Sequence, residues 1–229
     1  MSDIGERLKR VREEIEESRR HSLTGEEVEL IAVTKTHGVD VIEEAIRCGA
    51  TDIGENKVQE LTKKIEAIGP KVRYHMIGNL QSNKVKYIYR DVVLIHSLDR
   101  LSLAKEIEKR GGQTDDTVHC LLEVNIGDEA SKGGLEYDGV VPFLESILDY
   151  EHIKIDGLMT VAPNVDDDAY LRKLFRKMFA LKEDIENRHY EGVDMTYLSM
   201  GMSKDFNIAI EEGANMVRVG SRIFGARHY

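Results

Sequence analysis

Eight short apolar runs, each followed by a charged stretch, occupy the chain from residue 29 to residue 219. That alternation limits the folds open to it. The runs fall at 29–34, 51–54, 73–78, 92–96, 117–126, 153–161, 195–199 and 215–219. Between them, 39–49, 56–68, 99–110, 136–149, 167–188 and 204–213 carry apolar residues at helical spacing. A strand followed by a helix, many times over, means parallel strands joined by crossover helices. Eight such units in 229 residues predict the α/β class and a (β/α)8 TIM barrel. A doubly wound open sheet would usually carry a GxGxxG turn after an early strand, and the sequence has none. Ahead of the barrel, Ile4, Leu8, Val11 and Ile15 predict one extra amphipathic helix within a lead-in of residues 1–27. No linker or change of composition divides the chain, so one domain is expected over 1–229.

Charge and cysteine usage narrow the function classes. A formal net charge of -10 speaks against nucleic acid or an anionic membrane as partner, since both call for basic surface. Cys48 and Cys120 lie far apart with no CxxC pattern, which suits core thiols in a reducing compartment. The opening MSDIGERLKRVREEIEESRR lacks the apolar core of a signal peptide, so a cytoplasmic location is expected.

In a barrel of this kind the C-terminal strand ends build the site. Those ends offer Lys35, Glu55-Asn56, His75 with Gly78-Asn79, His96 to Asp99, Asn125, Thr160, Gly201 to Ser203, and Gly220-Ser221. Taken singly, Lys35 reads as a solvated strand end, Asn56 and Asp99 as helix caps, and His75 and His96 as core residues. Taken together they surround one mouth. "SMGMS" after the seventh run and "VRVGS" after the eighth are Gly/Ser turns where barrels often hold phosphate. Ser203 is expected to open the helix that follows, and Arg218 shares a strand face with Gly220. A phosphate held there beside a lysine at the end of the first strand suggests an aldehyde that forms a Schiff base with Lys35.

The blocks "IAVTK", "IGENKVQE", "HMIGNLQSNK", "IHSLDR", "LLEVNIGDEASKGG", "GLMTVAP", "LSMGMSKDF" and "MVRVGSRIFGARHY" run in order from about residue 28 to the end. Together they resemble the pyridoxal-phosphate homeostasis proteins, single-domain relatives of the alanine racemase barrel. The resemblance implies pyridoxal 5′-phosphate held as a covalent aldimine on Lys35. It implies phosphate contacts from Ser203, Gly220 and Ser221, and Arg218 facing the pyridine nitrogen. It places Asn56, His75 and Met200 against the ring and leaves the role of Lys132, on the mouth loop, open. "KTHGVD" departs from the family's proline-containing turn, Lys57 stands where tyrosine is common, and Asn79 where proline or histidine is usual.

The same resemblance bears on mechanism. An aspartate facing the pyridine nitrogen would make the ring a strong electron sink, whereas a cationic Arg218 disfavours that protonation. Racemases of this fold add a second base from a further C-terminal β domain, and this sequence stops at Tyr229. The expectation is therefore a monomeric protein that stores, buffers or delivers the cofactor, with pyridoxal-phosphate-dependent apo-enzymes as possible recipients. The alternatives are a slow pyridoxal-phosphate-dependent amino-acid racemase and, less well supported, a Schiff-base sugar-phosphate aldolase.

Overall fold

Each of the eight runs forms a strand, and the strands close on themselves. The computed structural model describes residues 2–127, 129 and 133–225. The strands are β1 (Glu29–Val33), β2 (Asp52–Glu55), β3 (Arg73–Met76), β4 (Leu94–Leu98), β5 (Val118–Val124), β6 (Ile153–Thr160), β7 (Val193–Met202) and β8 (Met216–Val219). All neighbours pair in parallel in the order one to eight, and β8 pairs back onto β1 through Ile31 opposite Arg218. The chain is thus the α/β barrel that the alternation predicts.

Outside the strands lie α2 (Val39–Arg47), α3 (Val58–Ile68), α4 (Leu101–Thr114), α5 (Val140–Glu145), α6 (Asp168–Glu186) and α7 (Phe206–Glu211), with the single turn α8 (Ser221–Phe224) after the last strand. Because successive strand residues face opposite ways, the apolar core divides in two. The larger part lies between strands and helices and includes Ile42, Leu61, Leu103, Leu144, Phe175 and Ile210. The smaller part fills the barrel itself with Ile31, Leu94, Leu121, Met159 and Met216. This thin apolar plug leaves polar residues above and below it inside the barrel.

The predicted N-terminal helix is α1 (Asp3–Arg19), capped by the Ser2 hydroxyl, which accepts from Gly5 N–H. It buries Leu8, Val11 and Ile15 and packs against α2, α7 and α8. Asn207 Nδ2 donates to Ser18 Oγ at 3.1 Å, and Arg222 pairs with Glu14 at 2.6 Å. Three local expectations change. A 3-10 helix at Ser82–Tyr87 fills the β3–β4 connection, where no helix was expected. The 136–149 segment yields only a 3-10 turn at Tyr137–Gly139 and the six-residue α5. Ser203 does not open α7: the Asp205 carboxylate takes the Met202 amide at 2.6 Å, and the helix starts after that turn. Among the described residues no helix is long and apolar enough to cross a membrane.

Candidate functional site

A cavity of about 470 Å³ opens at the C-terminal end of the barrel. Its wall brings together Lys35, Asn56, Ser203, Arg218, Gly220 and Ser221, which the sequence spreads over almost two hundred residues. Barrel closure does this, since β8 lies beside β1. Val33, Ile77 and residues 161–166, which follow β6, supply much of the remaining wall, with Met202, Lys204 and Asp205.

Lys35 reaches the cavity because Ile31, Val33 and Lys35 point inward while Ala32 and Thr34 point to the helices. The outward side is pinned. Thr34 Oγ1 donates to Glu55 Oε1, and the Lys64 ammonium, from α3, donates to the same carboxylate and to the Thr34 carbonyl at 2.7 Å. Glu55 is fully buried, and burial raises its carboxyl pKa; the hydrogen bonds from Lys64 and Thr34 pull in the opposite direction. One residue past Lys35, Thr36 takes a left-handed backbone conformation with φ 70°, and its amide donates to Glu60 Oε2 at 2.9 Å. A β-branched residue is strained there, so Glu60 holds the turn in place.

Arg218 is buried, with Nη1 donating to Ser199 Oγ at 2.6 Å and Nη2 to the Thr160 carbonyl at 2.7 Å. Burial brings its pKa down to about 10, opposed by Asp205 and Glu123, so the group stays cationic at neutral pH. Glu123 titrates higher than usual: burial first, then Asp99, pushes its carboxyl up to about 7, while Arg218 and Arg100 pull it down. A carboxyl raised on folding contributes stability below its unfolded pKa, and that contribution is lost as pH rises through the folded value. Glu123→Gln is therefore expected to raise the melting temperature more above about pH 8 than below about pH 5. An equal gain at both ends would contradict this placement of charge.

The two Gly/Ser turns meet directly, with Gly220 N–H donating to Ser203 Oγ at 3.1 Å. A Cβ on Gly220 would lie 3.3 Å from the Val33 carbonyl oxygen, tight enough to disturb the strand that carries Lys35. Among the described residues, the buried Oδ1 of Asn56, beside this wall, has no hydrogen-bond partner, an arrangement native structures rarely keep without a ligand or water. Hydroxyls and a glycine backbone for phosphate, a cation for a ring nitrogen, an amine for an aldehyde and an orphan acceptor together fit pyridoxal phosphate. Among the described residues no cluster of His, Cys, Asp and Glu could hold a metal ion.

Two residues expected against the ring lie elsewhere. His75 points into the barrel below the cavity and is 2% exposed, with Nδ1 against His96 Nε2 at 3.1 Å and Nε2 against Asp52 at 3.0 Å. It is a satisfied core histidine. Met200 follows the inward Ser199 on β7, so it faces the helices and joins the outer core. Lys132 lies outside the described residues. Sequence reasoning missed Lys64, which a helical pattern presents as an ordinary surface lysine, and Ser199, which sits mid-strand away from the mouth.

The chain matches the family model for the alanine racemase N-terminal domain over residues 7–228. It is 43% identical over 226 residues to a pyridoxal phosphate homeostasis protein of Aquifex aeolicus, covering 98% of both chains. The structure of PipY of Synechococcus elongatus with PLP bound superposes with a TM-score of 0.84 at 30% identity, over 97% of this chain and 100% of that one. The alanine racemase of Clostridium difficile shares the fold, with a TM-score of 0.72 at 13% identity over 97% of this chain and 57% of that one. The ordered sequence blocks, the closed barrel and these likenesses agree: the chain belongs to the pyridoxal phosphate homeostasis proteins, within the alanine racemase N-terminal domain family.

Proposed function

We propose that this protein binds pyridoxal 5′-phosphate at the barrel mouth and holds it reversibly, as part of the cell's management of that cofactor. The observation that carries the reading is the shared wall: the Lys35 amine, the buried Arg218 and the joined Ser203–Gly220 turns line one cavity. Lys35 supplies the amine for a covalent link to the aldehyde, Ser203, Gly220 and Ser221 hold the phosphate, and Asn56 offers its orphan oxygen to the ring side. When bound, the cofactor supplies an electrophilic carbonyl and a conjugated ring.

Arg218 argues for holding and against turnover, because a fixed cation beside the ring nitrogen opposes the protonation that would make the ring a deep electron sink. The protein then acts as a monomeric store that passes the cofactor to pyridoxal-phosphate-dependent apo-enzymes. After incubation with cofactor, the purified protein should show a visible absorbance band; a colourless protein would sink the reading. Following the chirality of L-amino acids in the presence of the loaded protein tests for turnover. Sustained racemisation above that of free cofactor would replace the store with an enzyme.

The phosphate contacts have their own test. Ser203→Ala and Ser221→Ala are each expected to weaken cofactor retention by about 1–3 kcal/mol, the worth of a hydrogen bond to a charged group. Equilibrium dialysis measures this, and unchanged retention in the double variant would move the phosphate elsewhere.

A further inference from the structure

The plug of apolar side chains inside the barrel is bypassed by one continuous polar track. Arg218 Nη1 lies 2.6 Å from Ser199 Oγ, which lies 3.2 Å from His96 Nδ1. His96 Nε2 lies 3.1 Å from His75 Nδ1, and His75 Nε2 lies 3.0 Å from Asp52 Oδ1. These five side chains come from five different strands, and each is at most 4% exposed. The track ends at a second cavity, of about 430 Å³, whose wall includes His75, Arg73, His119, Asp156 and Tyr197. There Arg73 clamps Asp52, with Nε at 2.6 Å and Nη2 at 2.9 Å.

The two ends dictate the middle. A guanidinium only donates and a carboxylate only accepts, so Ser199 Oγ accepts from Arg218 and Asp52 accepts from His75 Nε2. One arrangement then gives every donor and acceptor a partner. The Ser199 hydroxyl donates to His96 Nδ1, and His96 Nε2–H donates to His75 Nδ1. Both imidazoles are neutral and carry their proton on Nε2. Charging His75 reverses both middle bonds and leaves the Ser199 hydroxyl proton with no acceptor on the track. Burial, together with the neighbouring His75 and Arg218, holds the His96 pKa well below the usual imidazole range, in agreement with a neutral ring.

We propose that Ser199, His96 and His75 are positioning residues, forming a one-way hydrogen-bond relay that fixes the cavity-facing Arg218 and ties it to the Asp52 carboxylate at the opposite end of the barrel. The relay takes one of the guanidinium's amino groups, while the Thr160 carbonyl takes the other. The orientation of the cation at the mouth is thereby set from inside the barrel. Only the effect on the cofactor rests on the function proposed above; the relay itself is a property of the cofactor-free chain.

Long-range 1H–15N correlation spectra of the uniformly labelled, cofactor-free protein near neutral pH test it, with His75→Gln and His96→Gln samples assigning the peaks. Both rings are expected to show a protonated Nε2 and a bare Nδ1. A proton on Nδ1 of either ring, or a doubly protonated His75, would overturn the relay. Ser199→Ala should move the His96 Nδ1 resonance toward that of an unbonded imine nitrogen. Ser97→Ala, which removes a buried hydroxyl with no partner, should leave it in place. An unmoved resonance in Ser199→Ala also overturns the proposal.

In the loaded protein, Ser199→Ala and His96→Leu should each lower cofactor retention roughly tenfold, the worth of one charge-assisted hydrogen bond. His96→Gln keeps an acceptor toward Ser199 and a donor toward His75, and should recover most of that loss. Equal losses in His96→Gln and His96→Leu would mean that packing alone is at work. A wild-type protein with no visible band would sink the cofactor reading while leaving the tautomers to decide the relay.

Discussion

Lys35→Ala is expected to remove the visible band of the cofactor-loaded protein and to weaken cofactor retention about a hundredfold or more, roughly 3 kcal/mol. The loss is expected to be large because the variant removes the amine proposed for the covalent link and would leave only the proposed phosphate and ring contacts. The fold should not suffer. Lys35 is half-buried at the cavity wall and lies outside both apolar clusters, so the variant should still fold. Absorbance, equilibrium dialysis and a melting curve on the same samples separate the two effects. A band that survives in Lys35→Ala would mean that another amine carries the cofactor.

The largest stability effect should come from behind that lysine. Lys64→Met leaves the buried Glu55 carboxylate with Thr34 as its one remaining hydrogen-bond donor, and stranding one partner of a buried ion pair costs about 3–5 kcal/mol. For a chain of this size that lowers the melting temperature on the order of 10 °C. The pH dependence gives a signature. Glu55 already has a raised pKa, with burial as the first cause and Lys64 the strongest opposing influence, so losing Lys64 raises it further. A carboxyl raised on folding has its full stability below the unfolded pKa and loses it as pH climbs through the folded value. The deficit of Lys64→Met should therefore shrink as the solution is acidified toward about pH 4.5. Glu55→Gln in the same background should recover part of it. A deficit that does not change with pH would assign the cost to lost packing.

These two lysines mark how far the sequence could be read. The barrel was legible because its signal is repetition: eight runs at regular spacing leave few other ways to bury them. Lys35, Arg218 and the Ser203 and Gly220 turns were legible because strand ends converge in a barrel, whatever the helices do. Met200 was misplaced because Ser199 takes the inward position on β7 and the strand is irregular beyond it, which leaves Met200 in the outer core. His75 failed for a different reason. It does point into the barrel, but one layer too deep to reach the mouth. The supports stayed hidden because they are pairings between separate elements: Lys64 on α3 with Glu55 on β2, and across strands Ser199 with Arg218 and His96 with His75. Spacing along one strand reveals its faces and says nothing of which residue a neighbouring strand sets opposite.

Closure of β8 onto β1 has a consequence for how the protein is made. The cavity's parts emerge from the ribosome far apart in time, with Lys35 well before Arg218, Gly220 and Ser221. At about 5–20 residues per second, the Lys35 amine waits roughly 10–40 s before the groups that would fix the phosphate exist. A nascent or truncated chain has the amine without the cup. On the proposed function, cofactor capture waits for that closure, and occupancy would report that β8 has found β1.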